Sequence, residues 1–346
     1  MDIRDTPEQA ELRRIARRLA RDLGPRNVMD LDGRERCFRL TEAVRNAGWL
    51  ELRHGTAGDP VASGVEVAII AEALGETVAD VPFIGPILAA DLARRAGVQP
   101  ADGAVVGFTP SLIDAAVVSG SVTDAPIIAV DAGRERSVAA YVLTPDGDGY
   151  RLGLAKAEAA IDGADLTRTI RSLPPGVPVL PVPNQSRRLT RDDLATWSSL
   201  GLALTSADMV GIMRGVLDVS VAYAKDRKQY GVAIGTFQAV QHLLAEARCL
   251  LEAAFSAALY PAWAVDALGP DDARTAGRVA KTYCARAART VCETAVQVHG
   301  GIGNTWDCIV HVYLRRALLS SEWFGDDGEQ LRQLERTRLG VTYGLS

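Results

Sequence analysis

Histidine and cysteine, which bind most transition metals in proteins, are scarce in this sequence, with four histidines and five cysteines in 346 residues. The cysteines are odd in number and lack the close paired spacing of metal sites. All but one fall in helical patterns, where a buried, reduced thiol is the usual state. They are Cys37, Cys249, Cys284, Cys292 and Cys308. The sequence therefore predicts reduced thiols and no metal site.

Long apolar runs and basic runs are also missing. No apolar run reaches the length of a membrane span. Residue 1 leads directly into an arginine-rich helical pattern, without the apolar segment of a secretion signal. A net charge of −5 with no local basic run argues against a nucleic-acid-binding surface. We therefore expect a cytoplasmic protein without a nucleic-acid or membrane partner.

The periodicity of the apolar residues changes twice along the chain. Residues 1–103 are helical in pattern and begin with a capping box at Thr6-Pro7-Glu8-Gln9. Short β-type runs follow within residues 104–183, at 104–108, 114–118, 125–130 and 138–143. Helical patterns return in residues 184–346, at about 190–226, 237–268, 272–299, 305–321 and 327–339. The predicted fold is mainly α, with an N-terminal helical domain, a small middle β domain and a C-terminal helical bundle.

A first candidate site is the stretch YAKDRKQYGVAIGTFQ, residues 223–238, at the end of a long helical pattern. Gly231 is expected to break that helix, and Thr236 to cap the next one. Arg227 offers a rigid fork of donors that suits a phosphate or pyrophosphate, with Gln229 and Gln238 as neutral donors on either side. Taken alone, the stretch favours solvated helix ends over a binding site.

A second candidate site is the stretch QVHGGIGNTWD, residues 297–307, which ends another helical pattern. Gly300, Gly301 and Gly303 allow positive φ and a close approach of the backbone to a ligand. A helix C-cap followed by a turn would use the same glycines. The triplet follows a helix, so it is not a dinucleotide-binding fingerprint, which needs a preceding strand.

Together, in this order and separated by a helical pair, the two stretches resemble the acyl-CoA dehydrogenase family. That family carries R-x-Q-F-G…F-Q at one helix junction and Q-x-x-G-G-x-G at a later one. Tyr230 stands where the family usually has Phe. The resemblance implies FAD as cofactor, bound mainly by a neighbouring subunit. It implies that the ADP half of FAD contacts Arg227, Gln229, Phe237, Gln238, Gln297, Gly300 and Gly301.

The sequence departs from the family where the chemistry should be. The T-E-P-x-x-G-S-D and W-x-T segments, which in the family hold the flavin ring, are absent from the β domain, which has GFTPSLIDAAVVSG and APIIAVDAG instead. The reaction needs a positioned carboxylate to remove the α-proton of the substrate. The family's two positions for that base fall on Gly201 and Phe324, and its neighbouring substrate-binding arginine falls on Leu202.

Three carboxylates, Glu322, Asp326 and Asp327, lie close to the second of these positions. Each helical residue turns the side-chain direction by about 100°, so a neighbour does not replace the base without local rearrangement. An acidic start to the last helix, favoured by the helix dipole, is the preferred interpretation.

The sequence resembles the short, degenerate members of the family that pair with a longer homologue, notably in the degradation of steroid side chains. The resemblance implies an α2β2 heterotetramer, an acyl-CoA substrate and an electron-transfer acceptor. Alanine-rich C-terminal helices would form the interface. Two alternatives stay open: a self-sufficient homo-oligomeric dehydrogenase that uses one of the three carboxylates, and a flavin-free structural partner. The sequence does not identify the acyl chain.

Overall fold

The structure is a computed structural model, and it describes residues 4–55 and 59–339. Four α-helices form its N-terminal part: α1 (Pro7–Leu23), α2 (Arg34–Asn46), α3 (Gly64–Glu76) and α4 (Ile84–Arg95). Five more helices follow the β region: α5 (Arg191–Asp226), α6 (Gln238–Ala267), α7 (Pro270–His299), α8 (Val310–Glu322) and α9 (Asp327–Leu339). The prediction of a mainly α fold with a small β domain is confirmed.

Three of these helices begin where capping chemistry fixes the chain. Thr6, Ser63 and Thr190 precede α1, α3 and α5, and each side chain accepts a hydrogen bond from a backbone N–H of the first turn. The third helical residue of each, in turn Gln9, Glu66 and Asp193, returns a side-chain bond to the backbone of the cap. Two orphan donors are thereby satisfied at each helix start.

The β region is a seven-stranded sheet with the strand order β5-β6-β2-β1-β3-β4-β7. Its strands are β1 (Val105–Phe108), β2 (Ile127–Ala132), β3 (Val138–Asp146), β4 (Gly149–Ala157), β5 (Ala159–Ile161), β6 (Thr169–Leu173) and β7 (Val179–Pro181). β1 and β3 pair in parallel, and the other neighbours are antiparallel. The sequence missed β4 to β7.

The predicted strand at 114–118 is wrong. Ala115 forms an isolated bridge to Phe108 on β1, and two residues later Val117 bridges to Leu143 on β3. The segment therefore contacts two different strands in succession and forms a regular ladder with neither. It leads out of a turn in which Leu112 has a φ of 57°.

Helix α5 runs through the centre of the molecule. It has 36 residues, and α3, α6, α7 and α8 pack around it. By length and composition it could cross a membrane, contrary to the prediction that no apolar run is long enough. However, 94% of its most apolar 18-residue window is buried within the chain, as in the core helix of a folded domain.

A buried cluster of charges joins the sheet to the C-terminal helices. Arg168, which follows β5, places Nη2 2.9 Å from Oδ2 of Asp208 on α5. Arg316 on α8 places Nη2 2.7 Å from Oδ1 of the same carboxylate. The hydroxyl of Ser320 donates to Asp208 Oδ2 at 2.7 Å. One carboxylate thus links the β domain, α5 and α8.

Candidate functional site

The first motif lies where α5 gives way to a tight hairpin. The helix ends at Asp226, and the backbone N–H of Arg227 makes its last bond, to Tyr223 O at 2.8 Å. Two short strands, β8 (Lys228–Gln229) and β9 (Val232–Ala233), follow. Tyr230 and Gly231 between them have φ values of 52° and 83°, the signs of a type I′ turn. Gly231 therefore forms the hairpin turn; the prediction that it breaks the helix is wrong.

The predicted cap of the next helix is also wrong. Thr236 ends a short 3-10 helix, and its hydroxyl donates to Ala233 O at 2.6 Å. It is therefore not the N-cap of α6. Phe237 occupies the N-cap position without a side-chain bond, and α6 begins at Gln238.

The second motif forms the end of α7. Gly300 is the C-cap of that helix, with a φ of 63° and a ψ of −141°, a conformation that essentially only glycine adopts. A Cβ added at Gly300 or at Gly301 would meet no atom of the described chain within 4 Å. Gly303 differs, because a Cβ there would lie 2.8 Å from Val296 O. The first two glycines thus border open space, and the third is needed for packing.

An aromatic contact brings the two motifs together. The rings of Tyr223, one turn before Arg227, and His299, directly before Gly300, stack with centroids 4.3 Å apart and an interplanar angle of 20°. His299 also bonds through Nδ1 to Ala295 O at 2.8 Å. Burial lowers the pKa of His299, which favours the neutral ring at this junction. The ends of α5 and α7 therefore form one corner of the molecule.

All seven predicted cofactor residues are exposed: they lie at this corner, on the hairpin beside it or at the start of α6. Within the described chain, the guanidinium of Arg227 and the amides of Gln238 and Gln297 make no hydrogen bond or ion pair. Gln229 donates only to the adjacent Lys228 O, at 2.8 Å. A free cation beside exposed glycine backbone fits an anionic group that approaches from outside the chain, such as a pyrophosphate.

The two positions for a catalytic base face each other in the core. A Cβ added at Gly201 on α5 would overlap the ring of Phe324, which follows α8. Phe324 is only 3% exposed, and Leu202, at the position of the substrate-binding arginine, is 2% exposed. Leu202 packs on Gly277 of α7. A Cβ added at Gly277 would lie 2.9 Å from the Cβ of Leu202. Neither position carries a carboxylate, and apolar side chains fill the space between them.

Four rings close this region, and we refer to Phe108, Trp197, Trp323 and Phe324 as the aromatic cluster. Phe324 lies edge-on to Phe108, with centroids 5.3 Å apart, and tilted against Trp197 at 5.4 Å. Phe108 also stacks on Trp197 at 5.9 Å. Such packing leaves no room for a thioester beside Gly201, since interiors are packed as densely as organic crystals.

The three neighbouring carboxylates have other roles. Asp326 Oδ1 accepts the backbone N–H of Glu329 at 2.7 Å and so caps α9. Asp327, the first residue of α9, pairs with Arg286 Nε at 2.5 Å. Glu322 is exposed at the end of α8. The positions of Asp326 and Asp327 support the interpretation of an acidic start to α9.

One buried residue near the aromatic cluster was missed. Lys281 on α7 is 0% exposed, and its Nζ donates to Thr205 Oγ1 at 3.2 Å, to Trp323 O at 2.7 Å and to Ser320 O. Burial lowers the pKa of Lys281 to about 7. The sequence held a signal for it, because Lys281 lies three and four residues from Cys284 and Gly277, on the apolar stripe of its helix.

This lowered pKa predicts a pH-dependent stability. The ordinary value is 10.5, so between about pH 7 and that value the unfolded chain binds a proton that the folded chain has lost. We expect the free energy of unfolding, relative to that of Lys281→Met, to rise with pH in this window by up to about 1.4 kcal/mol per unit. Urea unfolding of both proteins from pH 6 to pH 9 measures it. A difference that does not change with pH would contradict the prediction.

Among the described residues, no group of three His, Cys, Asp or Glu side chains could hold a metal ion. A family model for the acyl-CoA dehydrogenase C-terminal domain matches residues 201–339, which span α5 to α9. The C-terminal bundle of this chain is therefore that of the acyl-CoA dehydrogenase family. FAD is the cofactor of this family.

Relatives of similar length extend the match along the chain. The acyl-CoA dehydrogenase IpdE2 of Mycolicibacterium smegmatis is 29% identical over 81% of this chain and 80% of its own length. IpdE2 of Mycobacterium tuberculosis is 28% identical over 95% of this chain and 97% of its own length. The similarity therefore includes the β domain as well as the C-terminal bundle.

Two solved structures share the fold along nearly the whole chain. One is the Tcur3481-Tcur3483 steroid ACAD G363A variant, with a TM-score of 0.77 and 22% identity, covering 96% of this chain and 98% of that one. The other is the ChsE4-ChsE5 complex from Mycobacterium tuberculosis, with the same TM-score and identity, covering 99% and 100%. These similarities establish the acyl-CoA dehydrogenase fold of the chain.

Proposed function

We propose that this chain is a non-catalytic subunit of an FAD-dependent acyl-CoA dehydrogenase. It supplies the ADP half of an FAD site to a longer homologue, which carries the flavin-ring pocket and the catalytic base. FAD held there would supply a hydride acceptor for the β-carbon of an acyl-CoA thioester, and the carboxylate of the longer homologue would remove the α-proton. This chain contributes binding and orientation to that reaction, and no proton transfer.

The ring of Phe324 carries this proposal. It fills the space next to Gly201, so both family positions for the base are used for core packing. A side chain such as Glu322 would have to displace the aromatic cluster to reach that space. The observation therefore argues against the self-sufficient homo-oligomeric alternative.

The open corner supplies the other half of the argument. Arg227 would hold the pyrophosphate, with Gln229, Gln238 and Gln297 as neutral donors and Gly300 and Gly301 as bare backbone. All are exposed in the isolated chain, as expected of a site that a second subunit completes. A flavin-free partner would have no use for an exposed arginine without a partner in the described chain, at the same corner as open glycine backbone.

The family neighbours support a particular kind of partner. Both solved structures named above carry two protein names, as the Tcur3481-Tcur3483 steroid ACAD and the ChsE4-ChsE5 complex. We infer an α2β2 heterotetramer with the longer homologue, acting on a steroid-type acyl-CoA and passing electrons to an electron-transfer acceptor. Apolar side chains exposed on α6 and α7, among them Tyr260, Val279 and Tyr283, suit an interface there. The cytoplasm is the proposed location.

The proposal is tested by purifying the chain alone and together with the longer homologue. We expect the chain alone to be colourless and not to reduce an electron acceptor with acyl-CoA. The pair should co-purify with yellow flavin and turn over. Full turnover by the chain alone would overturn the proposal. A colourless complex of the chain with the longer homologue would favour the flavin-free alternative.

Restoring a carboxylate should not restore catalysis. We expect Phe324→Glu to leave the isolated chain inactive, because Phe108 and Trp197 still occupy the substrate position. It should also destabilise the fold by about 3 kcal/mol or more, since a carboxylate would replace a ring in an apolar core. Urea unfolding and the acceptor assay measure both effects, with Phe38→Glu at a 65% exposed ring as the matched control. Turnover by Phe324→Glu would show that the pocket is still present.

A further inference from the structure

Lys281 is a buried ammonium without a carboxylate partner in the described chain. Other titratable groups act at longer range: Cys284, Glu322 and Asp208 favour the ammonium, and Arg168 disfavours it. Burying such a group is costly unless its donors are satisfied. Here all three donors are satisfied by oxygens, and two of these are backbone carbonyls at the end of α8. The role of Lys281 therefore lies in its bonds to the end of α8.

The last carbonyls of a helix have no partner within it and need one from elsewhere. At the end of α8, Lys281 Nζ donates to the carbonyls of Ser320 and Trp323. The next residue is held from two other sides. Phe324 N–H donates to Leu112 O at 2.8 Å, and Phe324 O accepts from Gln330 Nε2 at 2.6 Å. Each polar backbone group around the ring of Phe324 thus has a specific partner.

The backbone of Phe324 needs this support. Its φ of 68° lies in the left-handed region, which costs a residue with a side chain of order 1 kcal/mol or more. Such a conformation persists only where the surroundings determine it. The ammonium of Lys281 fixes the carbonyl that directly precedes it, that of Trp323.

We infer that Lys281 is a positioning residue that holds Trp323 and Phe324 against Gly201 and so keeps the acyl-CoA position of this chain closed. The inference rests on the proposed function, in which this chain's own position is not used. It does not depend on the charge of Lys281. A neutral amine still has two N–H donors for the carbonyls of Ser320 and Trp323.

Hydrogen exchange of the full chain separates this role from a general contribution to the fold. Lys281→Met keeps the apolar stem but removes the donors. We expect exchange to become about tenfold faster in residues 319–330 and 109–116, because the carbonyls of Ser320 and Trp323 lose their partner. The urea midpoint at pH 7 should stay level or rise, because a buried ammonium has been removed. The near-ultraviolet circular dichroism of the aromatic cluster should weaken.

Cys284→Ala is the matched control, one turn along α7 and equally buried, with its thiol turned to Ala254 O. It should leave exchange in residues 319–330 unchanged. Lys281→Ala with n-propylamine tests the chemistry directly: the amine should restore slow exchange, and 1-propanol should not. Unchanged exchange in Lys281→Met, or equal rescue by the alcohol, would overturn the inference. Turnover by the isolated wild-type chain would overturn the proposed function and leave this exchange result standing.

Discussion

Arg227→Ala is expected to weaken flavin binding by the complex by about 2–4 kcal/mol, which corresponds to a roughly 30- to 1000-fold higher dissociation constant. The guanidinium has no partner in the described chain, so its donors are available to a pyrophosphate. Charge-assisted hydrogen bonds in a partly desolvated interface are stronger than neutral ones. Removing them also leaves the phosphate charge unmatched. Flavin absorbance per purified complex at low micromolar FAD measures the loss.

Two further variants make this result specific. Arg227→Lys should recover only part of the binding, because a point charge cannot bind a phosphate through two parallel bonds. Arg14→Ala, at an exposed arginine of α1 paired with Glu11, is the control and should retain full flavin. Far-ultraviolet circular dichroism should be unchanged in all three, since the side chains of Arg227 and Arg14 are exposed. Full flavin content in Arg227→Ala would mean that Arg227 is only a surface residue. The best-matched family contact would then not exist in this chain.

Local chemistry made much of the fold predictable. The capping box predicted at Thr6 lies at the observed start of α1, because a cap depends on residues only three apart. The bounds of α9, Asp327–Leu339, agree with the prediction for the same reason: Asp326 caps it. The change from helical to strand patterns likewise needs only short windows of sequence.

Contacts between distant segments were not predictable in this way. The segment 114–118 has the composition of a strand, but the strands beside it change along its length. Thr236 has the chemistry of a cap, but its hydroxyl is used one turn earlier. Lys281 bonds to residues about 40 positions away, which no local pattern specifies. The family motifs placed Gly201 and Phe324 at the base positions, and the structure adds that one side chain fills the space of the other.

These two kinds of information lead to one description of the site. The cofactor corner consists of exposed residues on two motifs of fixed spacing, so the sequence alone can predict it. The closure of the acyl-CoA position depends on how four rings from separate segments pack, so only the structure shows it. The buried charge cluster adjoins these rings, since the guanidinium of Arg168 lies 5.8 Å from the ring centroid of Trp323.

Asp208→Asn is expected to destabilise the chain by about 3–5 kcal/mol, the usual cost of removing one partner from a buried ion pair. Arg168 and Arg316 both form ion pairs with this carboxylate, and neither is more than 6% exposed, so two cations would share a site with too little negative charge. Urea unfolding at pH 7 measures the change. Asp218→Asn, at an exposed position of the same helix, is the control and should stay within about 0.5 kcal/mol of wild type.

The same carboxylate predicts the acid response of the wild-type chain. Burial alone would raise the pKa of Asp208, but Arg168 and Arg316 outweigh it and lower the pKa to about 2, against an ordinary value of 3.8. A lowered folded pKa stabilises the chain above the ordinary value, and this contribution is lost as pH falls from about 3.8 to 2. We expect it to amount to about 2 kcal/mol. Unfolding free energies of wild type and Asp208→Asn should therefore converge by that amount between pH 5 and pH 2. Parallel curves would mean that Asp208 does not carry the charge that joins the β domain to α8.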